Sequence, residues 1–207
     1  MKPKKKRKLW KKLLVILAAV ILVSGIGFGI YVQDYYRAND LALEAAAQSQ
    51  QDITVTTSSE GRIIFAPENP RAGLIFYPGG KVQYEAYAPL MEACAKEGIL
   101  CVLLHMPGNL AVLDINAAKD IPEEYPDIEN WYMAGHSLGG SMAASYISSH
   151  EEAFKGLILL AAYSTADLKE TGLKVLSLYG SEDGVLKMDS YEKYRDNLPE
   201  AFTEDLN

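Results

Sequence analysis

Trp131-Tyr132-Met133-Ala134-Gly135-His136-Ser137-Leu138-Gly139-Gly140-Ser141-Met142-Ala143-Ala144-Ser145-Tyr146-Ile147 is the stretch that decides the fold. Residues 131–134 form a short apolar run that reads as a strand. Residues 141–147 are small and apolar enough for a packed helix. Between them, Gly135 to Gly140 fits G-x-S-x-G. Such a pattern arises by chance in Gly/Ser-rich loops, but the strand before it and the helix after it select a tight strand-to-helix turn. A serine on that turn is held out of the sheet edge, within reach of a substrate. Gly135 and Gly139 let backbone pass close to backbone there. The helix presents its N-terminus, where the Leu138 N–H can donate to a developing oxyanion.

Working outward, apolar runs alternate with helical spacing. Ile53-Thr54-Val55-Thr56 and Arg62-Ile63-Ile64-Phe65 read as a hairpin around Ser58-Ser59-Glu60-Gly61. Residues 73–77, 99–104, 156–161 and 174–179 are continuous apolar strands. Helical patterns cover 87–97, 110–119 and 190–197. Strands that are apolar throughout are buried on both faces, so the spacing predicts an α/β fold, a mostly parallel sheet flanked by helices. About a dozen residues separate the strand ending at Ala161 from Lys174, too few for a cap domain.

The 207 residues suffice for one domain with an appendage, and the charge is distributed unevenly. Eight of the 20 Lys/Arg fall in the first twelve residues, which hold no acid. The remaining 12 bases face 27 acids, a net of −15 in place of the whole-chain −7. Such a body does not seek nucleic acid or anionic lipid. Residues 13–32, LLVILAAVILVSGIGFGIYV, carry no charge. As a helix they span about 30 Å, the hydrocarbon thickness of a bilayer. Basic residues ahead of the span favour a cytoplasmic N-terminus. The expected organisation is a basic cytoplasmic tail (1–12), a transmembrane signal anchor (13–32), a stalk or linker (33–51) and a domain outside the cytoplasm (52–207). The protein is then a single-pass protein of the cell membrane. A cleaved signal peptide is the alternative, and it also exports the domain. Cys94 and Cys101 sit in apolar surroundings and read as small buried hydrophobes rather than as a disulfide.

From Ile53 to Asn207 the chain resembles the α/β-hydrolase family, in particular small membrane-anchored or exported bacterial members. The resemblance rests on Tyr77-Pro78-Gly79-Gly80, the Gly135–Gly140 elbow and Tyr179-Gly180-Ser181-Glu182-Asp183-Gly184-Val185. It implies Ser137 as nucleophile. The implied oxyanion hole comprises the N–H of Leu138 with that of Gly80 or Lys81. Asp183, in preference to Glu182, is the implied triad acid. A serine hydroxyl needs a base beside it and an oxyanion site opposite. Chain order in the family places a histidine after the acid, between a last strand and helix. The three histidines, His105, His136 and His150, all precede Asp183. His136 is expected to turn into the fold, His150 to end a helix, and His105 to close a strand. Residues 198–203 read as a lead-in to a last strand that is itself missing, so the domain is expected to be incomplete at its C-terminus and weakly hydrolytic.

No metal-ligand spacing and no dinucleotide fingerprint is present, so neither metal nor cofactor is expected. The reading is a serine hydrolase that cleaves an ester or related acyl bond in a small molecule. The alternatives are a non-catalytic membrane-anchored binding member of the fold and an acyltransferase.

Overall fold

Runs of β-branched and large apolar residues bounded by Gly, Pro and Asp become strands when both their faces can be covered. The computed structural model describes residues 4–50, 52–199 and 203–206. It divides into two units, Met1–Tyr35 and Tyr36–Asn207. The first is a single long helix, α1 (Lys4–Gln33). Its stretch Leu9–Gln33 is long and apolar enough to cross a membrane.

The second unit begins with α2 (Asp40–Ala47), whose first turn is capped by the Asn39 side chain accepting from the Ala42 N–H. An eight-stranded sheet follows: β1 (Ile53–Thr57), β2 (Ile63–Pro67), β3 (Ala72–Tyr77), β4 (Ile99–Leu103), β5 (Trp131–His136), β6 (Gly156–Leu160), β7 (Lys174–Leu178) and β8 (Thr203–Leu206). Helices α3 (Ala88–Lys96), α4 (Ile121–Glu124), α5 (Leu138–Ile147) and α6 (Met188–Arg195) lie between the strands in sequence. The strand order is β1-β2-β4-β3-β5-β6-β7-β8. The β1–β2 hairpin is antiparallel, as its sequence predicts, and β2 also pairs antiparallel with β4. From β4 to β8 every pairing is parallel.

Two apolar layers cover the sheet. Alternate residues of β3 divide between them: Ile75 and Tyr77 join Trp131, Met133 and the α5 residues Ala143, Ala144 and Ile147. Leu74 and Phe76 join Phe65, Met91, Leu103 and the α2 residues Ala45 and Ala46. Residues 161–173, between β6 and β7, form neither helix nor strand, so this connection supplies no cap.

Three elements depart from expectation. The last strand is present: Thr203–Leu206 pairs in parallel with β7, Val175 opposite Thr203 and Leu178 opposite Leu206. An edge strand needs burial on fewer sides than a central one, so its Thr-Glu-Asp-Leu sequence lacks the continuous apolar signature. Residues 110–119 form no α-helix. Short 3₁₀ turns at Pro107–Asn109 and Ala111–Leu113 replace it, and Asp114 and Asn116 begin further turns through their carbonyls. Within 33–51, α2 is packed rather than standing free, with Ala42, Ala45 and Ala46 buried. Both cysteines are free thiols. The neighbouring Cys94 and then burial push the Cys101 thiol up, and its S–H donates to the Ile99 carbonyl at 3.4 Å, while the proximity of Cys101 lowers the half-buried Cys94 thiol to about 7.

Candidate active site

Ser137 is the point at which β5 becomes α5. Its φ of 50° and ψ of −121° lie where a residue with a Cβ is strained. Such a conformation persists only when its surroundings over-determine it, and here backbone does so on both sides. The Ser137 N–H donates to the Leu160 carbonyl at 2.9 Å, and the Ser141 N–H donates to the Ser137 carbonyl at 3.2 Å. At Gly139 a Cβ would stand 2.3 Å from the carbonyl oxygens of both Tyr77 and Pro78, so α5 sits directly on the end of β3. Gly135 and Gly140 also approach each other across the turn: a Cβ on Gly135 would stand 2.6 Å from the Gly140 nitrogen, and one on Gly140 2.7 Å from the Gly135 oxygen. The Ser141 hydroxyl donates to the Tyr163 carbonyl at 2.8 Å and ties the first turn of α5 to the loop after β6. The Leu138 N–H, at the first position of the helix, lies outside the intrahelical ladder.

Opposite the serine runs the loop 78–83, and its N–H groups can be accounted for one by one. Gly79 donates to the Tyr87 hydroxyl at 3.0 Å. Lys81 donates to the Asn109 carbonyl at 2.8 Å, Val82 to Gly79 at 3.3 Å, and Gln83 to Tyr36 at 2.8 Å. The Gly80 N–H alone has no partner among the described residues, and Gly80 lines the same cleft as Ser137 and Leu138. Lys81, expected as an alternative oxyanion donor, is corrected on this ground: its N–H is committed to Asn109, a bond that accompanies its positive φ of 59°.

Asp183 reaches the cleft from the loop after β7. One carboxylate oxygen accepts from the N–H groups of Val185 (2.8 Å) and Leu186 (3.0 Å). These bonds, Leu186 first, hold the carboxyl below its ordinary range. Glu182, its neighbour, is exposed and not part of the cleft wall. The cleft, about 590 Å³, is also bounded by Tyr36, Tyr163 and Val185.

His136 does not simply turn into the fold. It lines the cleft, and its Nδ1 is 2.8 Å from the Tyr87 hydroxyl. Burial pushes its pKa down, and Asp183 opposes that shift in part. His105 packs against Tyr84, ring centres 4.9 Å apart, and lines a different cleft beside Arg62 and Asp114. His150 stacks on Tyr146 and bonds its carbonyl at 2.8 Å, just beyond the C-terminus of α5. Neither reaches the serine cleft. A second cleft of about 580 Å³ lies at the opposite edge of the sheet, between Tyr132 and Lys174, and holds Glu and Lys side chains without a Ser or Cys. Among the described residues no three His, Cys, Asp or Glu are placed to hold a metal ion.

The structure therefore brings Ser137, Leu138, Gly80 and Asp183 to one cleft. Tyr36 and Ser141, which also line it, and Tyr87, which bonds His136 beside it, were not legible. Each acts through a partner 22 to 49 positions away, or through a main-chain bridge such as that between Tyr36 and Val82, and no local pattern announces such pairs.

Residues 73–204 match a family model described as "Alpha/beta hydrolase family". Among solved structures, the predicted CIB-like hydrolase from Thermoplasma acidophilum is similar at a TM-score of 0.56 and 16% identity, over 74% of this chain and 86% of that one. The protein TT1662 from Thermus thermophilus is similar at a TM-score of 0.59 and 17% identity, over 75% of this chain and 90% of that one. A search of curated proteins finds no match.

Proposed function

The chain belongs to the α/β-hydrolase family, and from that premise we propose that it is a serine hydrolase that cleaves an ester or related acyl bond of a small molecule through an acyl-enzyme on Ser137. The observation that carries this reading is the strained backbone of Ser137, on the same cleft wall as two N–H groups without a partner among the described residues, those of Gly80 and Leu138. Strain at a position that packing alone would not require supports a chemical role.

In this mechanism Ser137 Oγ attacks the acyl carbon and the carbonyl π pair moves onto oxygen. The Leu138 and Gly80 N–H groups stabilise that oxyanion, strengthened by the N-terminal end of α5. The serine proton passes to a general base, which returns it to the leaving alcohol. Water then attacks the acyl-enzyme by the same route in reverse. The family resemblance implies an imidazole after the last strand as that base, held by Asp183. β8 supports this arrangement, because Leu206 lies level with Leu178 at the C-terminal ends of the parallel strands, the edge from which Ser137 projects. His136 is a poor substitute, since its Nδ1 is already engaged by Tyr87.

We further propose that α1 anchors the protein in the cell membrane as a single span, with the basic residues cytoplasmic and the hydrolase domain on the other face. The basic cluster ahead of an apolar stretch supports that sidedness.

A fluorophosphonate probe tests the central reading. The full chain in detergent micelles is expected to carry the probe on Ser137, located by peptide mass spectrometry, and Ser137→Ala to carry none. Absence of label on the wild-type serine, in a chain that carries an imidazole after β8, overturns the hydrolase reading and favours a binding member of the fold. Transfer of the acyl group to added alcohols in preference to water identifies an acyltransferase instead.

A further inference from the structure

Tyr87 and His136 lie 49 positions apart, one at the end of the 3₁₀ turn Tyr84–Tyr87 and the other at the end of β5. Their side chains meet directly beneath Gly79. A Cβ on Gly79 would stand 2.5 Å from His136 Nδ1 and 2.7 Å from the Tyr87 oxygen, so the loop rests on this pair. The Tyr87 oxygen accepts the Gly79 N–H at 3.0 Å and lies 2.8 Å from His136 Nδ1. Its ring is fixed by Phe76, centroids 4.8 Å apart.

The direction of each proton follows from counting. A phenol has one proton to give and two lone pairs to receive. One lone pair of Tyr87 receives the Gly79 N–H. If His136 carried its proton on Nδ1 and donated to Tyr87 as well, the phenol proton would be left in a half-buried site without an acceptor among the described residues. The satisfied arrangement is Gly79 N–H to Tyr87 oxygen, then Tyr87 O–H to His136 Nδ1, with the imidazole proton on Nε2.

We propose that Tyr87 and His136 are positioning residues for the oxyanion hole: their relay turns the Gly79 N–H inward, which leaves the next N–H, that of Gly80, facing the cleft. The proposal rests on the reading of Ser137 as nucleophile. The Asn109 carbonyl, on the Lys81 N–H, and the Tyr36 main chain, on Lys81 and Gln83, restrain the far side of the loop. The relay holds its near side. Together they leave one donor to point at the substrate.

The test uses the full chain in detergent micelles. Nitrogen-15 NMR of labelled histidine is expected to show neutral His136 at neutral pH with its proton on Nε2. An Nδ1–H tautomer overturns the proposal without any variant. The rate of Ser137 phosphonylation is then measured against probe concentration. Tyr87→Phe keeps the ring and removes the hydroxyl. It is expected to lower the maximal rate about 10- to 100-fold and to leave the half-saturating concentration within about twofold. His136→Leu is expected to behave alike. His136→Asn, whose side-chain oxygen can take the place of Nδ1, is expected to recover to within about threefold of wild type. A reactive wild-type serine with Tyr87→Phe equally fast overturns this proposal alone. An unreactive wild-type serine, in a chain that carries an imidazole after β8, overturns the hydrolase reading, and the proposal with it.

Discussion

At the scale of single residues, the turn around Ser137 is held by what is missing from its neighbours. The Cβ that alanine would add at Gly139 falls 2.3 Å from two carbonyl oxygens, those of Tyr77 and Pro78. Both belong to the backbone at the end of β3, a central strand paired on each side, so neither can retreat at low cost. Gly139→Ala is therefore expected to destabilise the domain by about 3 kcal/mol or more, the upper end of overpacking costs. Gly172→Ala supplies the contrast. Nothing lies within 4 Å of its added Cβ and its φ is not positive. It is expected to stay within about 0.5 kcal/mol of wild type. Denaturant midpoints at constant slope measure both. Equal midpoints for the two variants would show that α5 does not sit on β3 as described. Gly139→Ala is also expected to slow labelling of Ser137, because the displacement it forces moves the Leu138 N–H.

At the scale of elements, one buried hydroxyl organises the longest irregular segment. The Tyr77 O–H at the end of β3 donates to the Ile115 carbonyl at 2.7 Å and accepts the Ala118 N–H at 3.2 Å. Burial pushes its pKa far up, so it stays protonated and keeps both bonds at any ordinary pH. Tyr77→Phe leaves that carbonyl and that N–H inside the fold without their partner, with an expected loss of about 1–3 kcal/mol. Hydrogen exchange at Ala118 is the direct readout: faster exchange there, with β4 and β5 unchanged, is expected, and unchanged protection at Ala118 would refute the role. This segment also shows where sequence reading stops. The central strands were legible because burial on both faces demands continuous apolar residues, as in Gly156–Leu160. The elbow was legible because its geometry is local, a strained strand-to-helix turn; Asp183 was reached only through the family resemblance, and its carboxylate accepts from the N–H groups two and three residues on. Residues 110–119 have helical apolar spacing, yet main-chain turns at Asp114 and Asn116 and the distant Tyr77 hydroxyl decide their path. β8 escaped notice because an edge position tolerates Glu204 and Asp205. Which N–H of the loop 78–83 stays free depends on Tyr36, Tyr87 and Asn109, and no pattern within the loop encodes them.

At the scale of the whole molecule, the apolar helix and the domain make different demands on their surroundings. Leu9–Gln33 has its large apolar residues exposed, Val15 and Val23 by more than two thirds, a surface that water does not favour and lipid does. The domain has its own core and begins at Tyr36, not at the first strand. Tyr36 accepts from Gln83 and donates to Lys81, and α2 buries Ala42, Ala45 and Ala46. Two truncations separate these roles. The full chain is expected to stay with the membrane pellet after alkaline extraction, and a chain lacking residues 1–33 to partition into the aqueous phase with unchanged near-ultraviolet circular dichroism. Removal of residues 1–49 takes away the Tyr36 bonds and three buried methyl groups. At about 0.8 kcal/mol for each methyl-sized group, that is roughly 2 kcal/mol of burial before any hydrogen bond is counted. For a domain of this size such a loss lowers the melting midpoint by about 4–8 °C. The serine labelling rate is expected to fall with it, because Lys81 and Gln83 lose their partner beside Gly80. Equal melting points for the two truncated chains would assign residues 36–49 to a free stalk, and release of the full chain by alkali would remove the anchor.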